Sequence, residues 1–135
     1  MKRSVPLLSP GKNFENLLSI VRQLRQKCPW DREQTFESLK PYLIEEVHEA
    51  IEAINHKNYP HLAEEVGDML LHIVMLAVLA EEAQVFNIND VINHISAKMV
   101  RRHPHVFGQG KAKTKEQVLK NWQRIKRAEA RKREK

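Results

Sequence analysis

The sequence contains two short acidic runs, Glu45-Glu46-Val47-His48-Glu49 and Glu64-Glu65-Val66-Gly67-Asp68. Residues three apart lie on the same side of an α-helix, with their Cβ atoms roughly 5–6 Å apart. If both runs are helical, each places two carboxylates on one helix face. These pairs are Glu46 with Glu49, and Glu65 with Asp68.

The segment between the two runs, Asn55-His56-Lys57-Asn58-Tyr59-Pro60, is typical of a short loop that joins two antiparallel helices. If the four carboxylates meet across such a pair of helices, they repel one another unless a cation lies among them. Ligand sets made only of oxygen suit hard ions such as Mg²⁺ or Mn²⁺. The spacing therefore predicts a divalent metal site of the kind that handles phosphate groups.

The alternative interpretation is that these acids are the solvated faces of two surface helices. Their position argues against it for the set, because each pair borders an apolar stripe. The first stripe is Leu39, Leu43, Val47, Ala50, Ile51 and Ile54, and the second is Leu62, Val66, Met69 and Ile73. Acids at the edge of a buried stripe need a partner, since burial of an unpaired charge is unfavourable.

The composition indicates which class of protein this is. The chain has 135 residues, of which 41% are hydrophobic, and fits one mostly helical domain. Cys28 is the single cysteine, which excludes an intrachain disulfide and suits a reducing compartment. The N-terminus lacks the apolar core of a signal peptide, and the longest apolar run, Met69 to Ala80, is too short to span a bilayer. We therefore expect a cytoplasmic protein with no membrane partner.

Apolar residues at helical spacing predict an all-α bundle of about five helices. We expect a flexible arm over residues 1–11, one domain over residues 12–130 and a frayed basic tail over residues 131–135. The predicted helices run from about Lys12 to Lys27, from Thr35 or Lys40 to Ile54, from Pro60 to Gln84, from Asp90 to Arg102, and onward from a capping box of Thr114 and Gln117. Pro41 is expected in the first turn of its helix or at a kink, and residues 103–108 are expected to begin a loop.

The third predicted helix is apolar on nearly every face between Met69 and Ala80. In a domain this small, a helix buries only part of its circumference, and the remainder would be an exposed apolar patch. A second copy of the chain is expected to cover that patch. The sequence therefore predicts a homo-oligomer, most simply a dimer, with Leu71 and Val78 as outward residues.

Positive charge is concentrated near the C-terminus. Residues 111–135 carry a net charge of +8, whereas the other 110 residues carry −2, which indicates phosphate-bearing partners. Lys98 and Arg102 lie one turn apart in one predicted helix, and Trp122 and Lys126 lie one turn apart in the next. Basic residues near helix ends are also often simply solvated or favoured by the helix dipole.

Several alternatives stay open at this point. Trp30 either plugs the end of the core or faces a substrate, and His72 either orients Asp68 or is a core histidine bonded to a backbone carbonyl. One alternative to an enzyme with a metal site is a helical protein that binds nucleic acid through its basic C-terminus. Another is a non-catalytic regulatory dimer that binds nucleotides. Zinc, di-iron and glycine-rich phosphate loops are disfavoured by the absence of their spacings.

Five segments between residues 28 and 126 carry a family resemblance. They are Cys28-Pro29-Trp30-Asp31-x-x-Gln34-Thr35, Ser38-Leu39-x-Pro41-Tyr42-x-x-Glu45-Glu46, Glu64-Glu65-x-Gly67-Asp68, Arg101-Arg102-His103-Pro104-His105-Val106-Phe107 and Asn121-Trp122-x-x-Ile125-Lys126. In this order they resemble the MazG family of nucleoside triphosphate pyrophosphohydrolases, over roughly residues 14 to 127. The chain departs from the family at Phe36, where histidine is usual.

The resemblance implies an all-α, typically dimeric enzyme that uses Mg²⁺, or Mn²⁺ in its place, to hydrolyse nucleoside triphosphates to monophosphate and pyrophosphate. It also implies a role in removing surplus or altered nucleotides, and it makes nucleic acid an unexpected partner. The positions that match family ligands of the metal are Glu46, Glu49, Glu65 and Asp68. By the same resemblance Glu45 and Glu46 belong to the catalytic residues, and Glu45 assists or orients the attacking water. The positions expected to contact the substrate are Trp30, Lys98, Arg102, Trp122 and Lys126, and of these Lys98 and Arg102 also serve catalysis.

Overall fold

The structure, a computed structural model, describes residues 13–133 and contains only helices within that range. The helices are α1 (Phe14–Lys27), α2 (Pro29–Arg32), α3 (Phe36–Asn55), α4 (Tyr59–Glu82), α5 (Ile88–Arg102), α6 (Pro104–Phe107) and α7 (Lys115–Arg133). The all-α prediction is confirmed, and the five predicted helices correspond to the five long ones. The predicted N-terminal arm over residues 1–11 lies outside the described residues.

Helices α1 and α2 meet at a single extended residue. Asn13 caps α1, because its side-chain oxygen accepts a hydrogen bond from the backbone N–H of Asn16 at 2.8 Å. Cys28 ends α1 with φ −94° and ψ 119°, the extended conformation that a following proline favours. Pro29 then begins α2, where the sequence was expected to give a loop, since proline suits the first position of a helix.

A capping box fixes the start of α3. Ser38 N–H donates to Thr35 Oγ1 at 3.1 Å, and Thr35 N–H donates to Ser38 Oγ at 2.8 Å. The helix therefore begins at Phe36, and Pro41 lies inside it, beyond the first turn. Of the two places expected for Pro41, the first turn is therefore excluded, and the position inside the helix is left. Its ring nitrogen has no N–H for the carbonyl of Glu37 there.

Helices α3 and α4 form an antiparallel hairpin with a connection of residues 56–58. Asn58 caps α4 by accepting a hydrogen bond from His61 N–H at 3.2 Å, and Pro60 lies in the first turn. Helix α1 packs on this hairpin, and two ion pairs, Arg22–Glu81 at 2.7 Å and Arg25–Glu82 at 2.6 Å, join it to α4.

The core of these four helices is concentrated toward the C-terminal half of α4. Its buried residues are Leu18, Val21, Leu39, Ala50, Ala53, Val74, Met75, Ala77, Val78, Leu79 and Ala80. Val78 is only 3% exposed, so the expectation that it points outward is wrong. Among the exposed apolar residues of α4, Val66, Leu70 and Ile73 recur at helical spacing and form one face.

The predicted apolar stripe of α3 is only partly buried. Leu39 and Ala50 lie in the core, but Val47, Ile51 and Ile54 are exposed. With Ile44, these three form an exposed apolar row along α3. Each helix of the hairpin thus presents one apolar face to the core and a second to the outside.

The chain divides into two compact units, one ending at Ile88 and the other beginning at Asn89. The single domain predicted over residues 12–130 stays a prediction. The second unit contains most of α5, the short helix α6, where a loop was expected, and α7. Pro104 begins α6, because it can occupy a first helical position as readily as it can end α5.

Helix α7 begins as the capping residues predict, with one difference. Gln117 N–H donates to Thr114 Oγ1 at 3.2 Å, but the Gln117 side chain accepts from Lys113 N–H rather than from Thr114. The helix continues to Arg133, three residues into the predicted tail. Within residues 13–133, no helix is both long enough and apolar enough to cross a membrane.

The capping box of α3 gives a testable prediction. Thr35→Ala removes the acceptor for Ser38 N–H and should lower the free energy of unfolding by about 1 kcal/mol, as is typical for loss of an N-cap. Urea denaturation followed by circular dichroism measures the change. Thr35→Ser keeps the hydroxyl and is the matched control. Equal stability of the alanine and serine variants would contradict the role given to the cap.

Candidate functional site

Four carboxylates converge on one side of the α3–α4 hairpin. Glu46 and Glu49 come from α3, and Glu65 and Asp68 come from α4. One oxygen from each of the four lies within 4.8 Å of the others, close enough to share one metal ion. The prediction that these acids meet is confirmed. It succeeds because the i, i+3 spacing and the short connection together fix both the face and the level of each pair.

Two oxygens of the cluster are buried without a partner. Glu65 is 6% exposed, although isolated acids are rarely buried. Oε2 of Glu65 and Oε2 of Glu46 are inaccessible to solvent and make no hydrogen bond in the part of the chain that is described. Such atoms are unfavourable unless something else satisfies them. An all-oxygen set with two unsatisfied buried oxygens fits a hard divalent cation.

Crowding changes the acidity of the cluster. Burial raises the pKa of Glu46, and the nearby charges of Asp68 and Glu49 raise it further. Close approach to the Glu65 carboxylate, with which Glu49 can share a proton, is the main cause that raises the pKa of Glu49. Desolvation and the charges of Glu65 and Asp68 act in the same direction. Without a cation, Glu46 and Glu49 therefore bind protons more readily than separate glutamates do.

Two histidines of α4 flank the carboxylates. His61 Nε2 lies 3.4 Å from Glu65 Oε1, an i, i+4 contact that the sequence reasoning did not single out although its spacing was visible. His72 Nδ1 lies 2.9 Å from the backbone oxygen of Asp68, so the histidine bonds to a backbone carbonyl. This contact leaves the Asp68 carboxylate available for a cation.

An aromatic row lies in the same unit. Trp30 is 52% exposed, which rules out the interpretation of Trp30 as a plug of the core. Its ring meets that of Tyr42 edge-on with 5.8 Å between centroids, and Tyr42 stacks on His72 at 6.1 Å. Phe36 is also exposed, at the first position of α3. A role of Trp30 in binding substrate stays a prediction.

Glu45 stands apart from the four converging acids. It is exposed on α3, directly before Glu46 in sequence, and does not belong to the group that could share one ion. Its predicted catalytic role stays a prediction, and so do the ligand roles of the four carboxylates.

The remaining predicted residues lie in the second unit. There Glu129, which was not predicted, accepts hydrogen bonds from Arg101 and Arg102. Arg102 is only 7% exposed, and its Nη2 donates to Glu129 Oε1 at 2.8 Å. The Arg102 guanidinium also lies 4.9 Å from the centre of the Trp122 ring. Hydrogen bonds from Arg102 and then Arg101 lower the pKa of Glu129 to about 2.

Two other predicted residues lie in the same unit: Lys98 is half-buried on α5, and Lys126 is exposed on α7. Glu129 was missed by the sequence reasoning, which considered the acids of this region only in the net charge of residues 111–135. The signal was present, because Trp122, Lys126 and Glu129 recur at i, i+4 and i+7 and so share one helix face.

Comparison with known proteins places the chain among relatives. The family model described as "MazG nucleotide pyrophosphohydrolase domain" matches residues 34–107. The chain is 50% identical over 121 residues to the nucleoside triphosphate pyrophosphohydrolase/pyrophosphatase MazG of Thermotoga maritima, which covers 88% of this chain and 46% of that protein. It is 41% identical over 119 residues to the nucleoside triphosphate pyrophosphohydrolase of Escherichia coli K12, with 86% of this chain and 45% of that protein covered. The chain thus spans less than half the length of these two curated relatives.

A solved structure supports the same relationship. The crystal structure of a mazG-related protein from Thermotoga maritima superimposes with a TM-score of 0.72 at 30% sequence identity. The match covers 84% of this chain and 98% of that one, so nearly the whole of the solved chain is represented here. The chain belongs to the MazG nucleotide pyrophosphohydrolase family.

Proposed function

We propose that this chain hydrolyses nucleoside triphosphates to the monophosphate and pyrophosphate, with Mg²⁺ held by Glu46, Glu49, Glu65 and Asp68. The observation that carries the proposal is the four-carboxylate cluster with two buried oxygens that lack partners. The names of the Thermotoga and Escherichia relatives support the choice of reaction. Mn²⁺ could replace Mg²⁺, because both prefer oxygen ligands.

The residues around the cluster have separable tasks in this proposal. When bound, a divalent cation neutralises charge on phosphate oxygens and makes an attacking water more acidic. His61 contacts Glu65 and restrains its carboxylate, and His72 holds the backbone at Asp68. Glu45, exposed beside Glu46, is the candidate for orienting the water, since its carboxylate is not committed to the cluster.

The phosphate chain requires positive charge, and the nucleoside requires flat apolar surfaces. We assign the triphosphate to Lys98 and Arg102, since developing charge on phosphate oxygens is stabilised by fixed cations. Trp122 and Lys126 serve the nucleotide from α7. Trp30 is assigned to the nucleoside because its ring is exposed and fixed edge-on against Tyr42. Removal of surplus or altered nucleotides is the proposed cellular role.

A homodimer built on the α3–α4 hairpin completes the proposal. Val66, Leu70 and Ile73 on α4 and the apolar row of α3 would be exposed in a single copy. A two-fold partner would cover each of these faces with the same surface. The cytoplasm is the proposed compartment.

The first prediction from the proposed function concerns the metal ligands. Glu49→Gln or Asp68→Asn keeps the shape of the side chain but removes a charge, so the fold should survive while turnover falls by about a hundredfold or more. Even residues behind metal ligands typically change affinity or activity about 10–100-fold. Pyrophosphate release from a panel of nucleoside triphosphates, with Mg²⁺ and with EDTA, is the measurement.

Glu52→Gln is the matched control, because Glu52 is an exposed acid on the same helix outside the cluster. Its turnover should match that of the wild type. Full activity in EDTA, or near wild-type turnover in either ligand variant, would refute the metal assignment. Salt-sensitive binding of nucleic acid without hydrolysis would instead favour the nucleic-acid-binding alternative.

The second prediction is a pH dependence of stability in metal-free protein. Raised pKa values of Glu46 and Glu49 mean that the folded state holds protons more tightly than the unfolded state. Their contribution to stability is thus full below the ordinary glutamate pKa, about 4.3, and is lost as pH rises through the raised values. In EDTA, Glu49→Gln should therefore lose less thermal stability than the wild type between about pH 4.5 and pH 7.5.

Thermal melts at a series of pH values test this difference. Adding Mg²⁺ should raise the melting temperature of the wild type more at the upper end of the range, because the ligands are then ionised. Parallel pH profiles for wild type and Glu49→Gln in EDTA would show that the carboxylates do not repel as described.

The third prediction concerns assembly. Leu70→Glu or Ile73→Glu puts a charge on the exposed face of α4 and should convert the dimer to monomers without disturbing the core. The chain mass is 15.8 kDa. Light scattering should give twice this chain mass for the wild type and a single chain mass for the variants. Val85→Glu changes an exposed apolar residue outside the hairpin faces and is the control. A wild-type protein that is monomeric and active would overturn the dimer.

A further inference from the structure

One carboxylate in the second unit binds two consecutive arginines. Glu129 Oε2 accepts from Arg101 Nε at 2.5 Å and, more weakly, from Arg102 Nε at 3.5 Å. Glu129 Oε1 accepts from Arg102 Nη2 at 2.8 Å. Two like charges at neighbouring positions repel, and the shared carboxylate offsets that repulsion. The group of Arg101, Arg102 and Glu129, here called the arginine clamp, keeps a net charge of +1.

The bonding pattern leaves specific donors outside the clamp. A guanidinium carries five N–H donors in a fixed plane. Arg101 is held through Nε, so neither terminal nitrogen is used in its bond to Glu129. Arg102 is held through Nε and Nη2, which leaves Nη1 out of its two bonds. The clamp therefore fixes both guanidinium groups and keeps terminal N–H groups for another acceptor.

Aromatic packing immobilises Arg102 further. Its guanidinium lies over the Trp122 ring at 4.9 Å, and Trp122 in turn meets His103 edge-on with 5.4 Å between centroids. His103 Nδ1 lies 2.7 Å from the backbone oxygen of Met99, which ties the ring to α5. Side-chain freedom that would otherwise be lost on binding is therefore already lost in the folded protein.

A purely structural role explains Arg102 but not Arg101. Arg102 is buried, and a buried cation needs a counter-ion. Arg101 keeps about half of its side chain exposed (49%), and exposed ion pairs typically contribute little to stability. Arg101 and Glu129 also line a cavity of about 630 Å³ with basic side chains of α7, including Arg124 and Arg131. The unused terminal nitrogens of Arg101 thus border this space, and Arg102 lies behind Arg101, bonded to the same carboxylate.

We propose that Glu129 is a positioning residue that holds Arg101 and Arg102 side by side as a paired-guanidinium cradle for a phosphate group of the substrate. Guanidinium groups bind phosphate oxygens through parallel N–H bonds, so a fixed pair presents preorganised donors on a group whose net charge is +1. The proposal rests on the proposed function, and it adds two residues, Arg101 and Glu129. Glu129 acts only through the arginines and does not touch the substrate.

The test begins with Glu129→Gln, which keeps the size of the side chain but removes its charge. We expect KM for a nucleoside triphosphate, and the inhibition constant of inorganic tripolyphosphate, to rise at least tenfold, with a smaller change in kcat. The Mg²⁺ concentration for half-maximal activity should stay unchanged. Glu129→Asp, which keeps the charge, should recover part of the loss.

Glu82→Gln is the matched control. Glu82 accepts from Arg25 Nη2 at 2.6 Å and from Arg25 Nε at 2.9 Å, an equivalent pair in the first unit. Both pairs lower the pKa of their carboxylate. Loss of the Glu82 charge should leave KM and the tripolyphosphate constant as in the wild type. A tenfold rise in this control as well would overturn the proposal, because any lost ion pair would then have the same effect.

A double-mutant cycle separates positioning from support of the fold. In a background of Arg101→Ala and Arg102→Ala, Glu129→Gln should cause no further loss of kcat/KM, because the residues through which it acts are gone. If Glu129→Gln lowers kcat/KM by the same factor in this background as it does in the wild type, the proposal is overturned. If Glu129→Gln fails to fold, Arg101→Gln decides, since it leaves the Arg102–Glu129 pair in place. Its KM should rise at least fivefold, and an unchanged KM would overturn the cradle.

Failure of the proposed function is recognised separately. A wild-type protein that hydrolyses no nucleoside triphosphate overturns that function and leaves the cradle to be judged by binding. Calorimetry with inorganic tripolyphosphate should then show at least tenfold weaker binding for Glu129→Gln than for the wild type. Equal binding by both proteins would overturn the cradle.

Discussion

Mutual repulsion among four carboxylates is the constraint on which the first unit depends. The α3–α4 hairpin brings Glu46, Glu49, Glu65 and Asp68 within 4.8 Å of one another, against the electrostatic preference of ionised acids. The hairpin tolerates this because its buried apolar residues lie mainly in the later part of α4, from Val74 to Ala80. The fold therefore separates two tasks along one helix. Its C-terminal half supplies packing, and its N-terminal half carries Glu65 and Asp68, two of the four proposed ligands.

In the second unit the repulsion is between positive charges, and a single carboxylate offsets it. Two adjacent arginines would repel, and one glutamate holds them together while leaving donors for a ligand. In the first unit, the counter-ion that we propose is a cation from outside the chain. In the second, the counter-ion is part of the chain. The family model that matches the chain is described as a nucleotide pyrophosphohydrolase domain.

The sequence predicted most of the helices and the whole carboxylate cluster, because both depend on short-range spacing. Thr35, Asn58 and Thr114 mark helix starts through local hydrogen bonds that one chain segment specifies alone. Two local errors are the short helices α2 and α6, where loops were expected because a proline can begin a helix as well as end one. The errors at Val78 and Glu129 involve contacts between segments. Val78 was expected outside and lies in the core, since periodicity identifies an apolar face but not the neighbour that covers it. Glu129 was missed for the same reason, because its two arginine partners are on another helix.

The short connection between α3 and α4 has a consequence for how the metal centre forms. All four proposed ligands lie between residues 46 and 68, joined by a turn of residues 56–58. Closing so short a loop loses little chain entropy, and contacts of this kind form early in folding. The centre is thus complete as soon as one hairpin closes, before distant parts of the chain need to meet. A cation present during synthesis would favour that hairpin and so act on the folding pathway as well as on the finished protein.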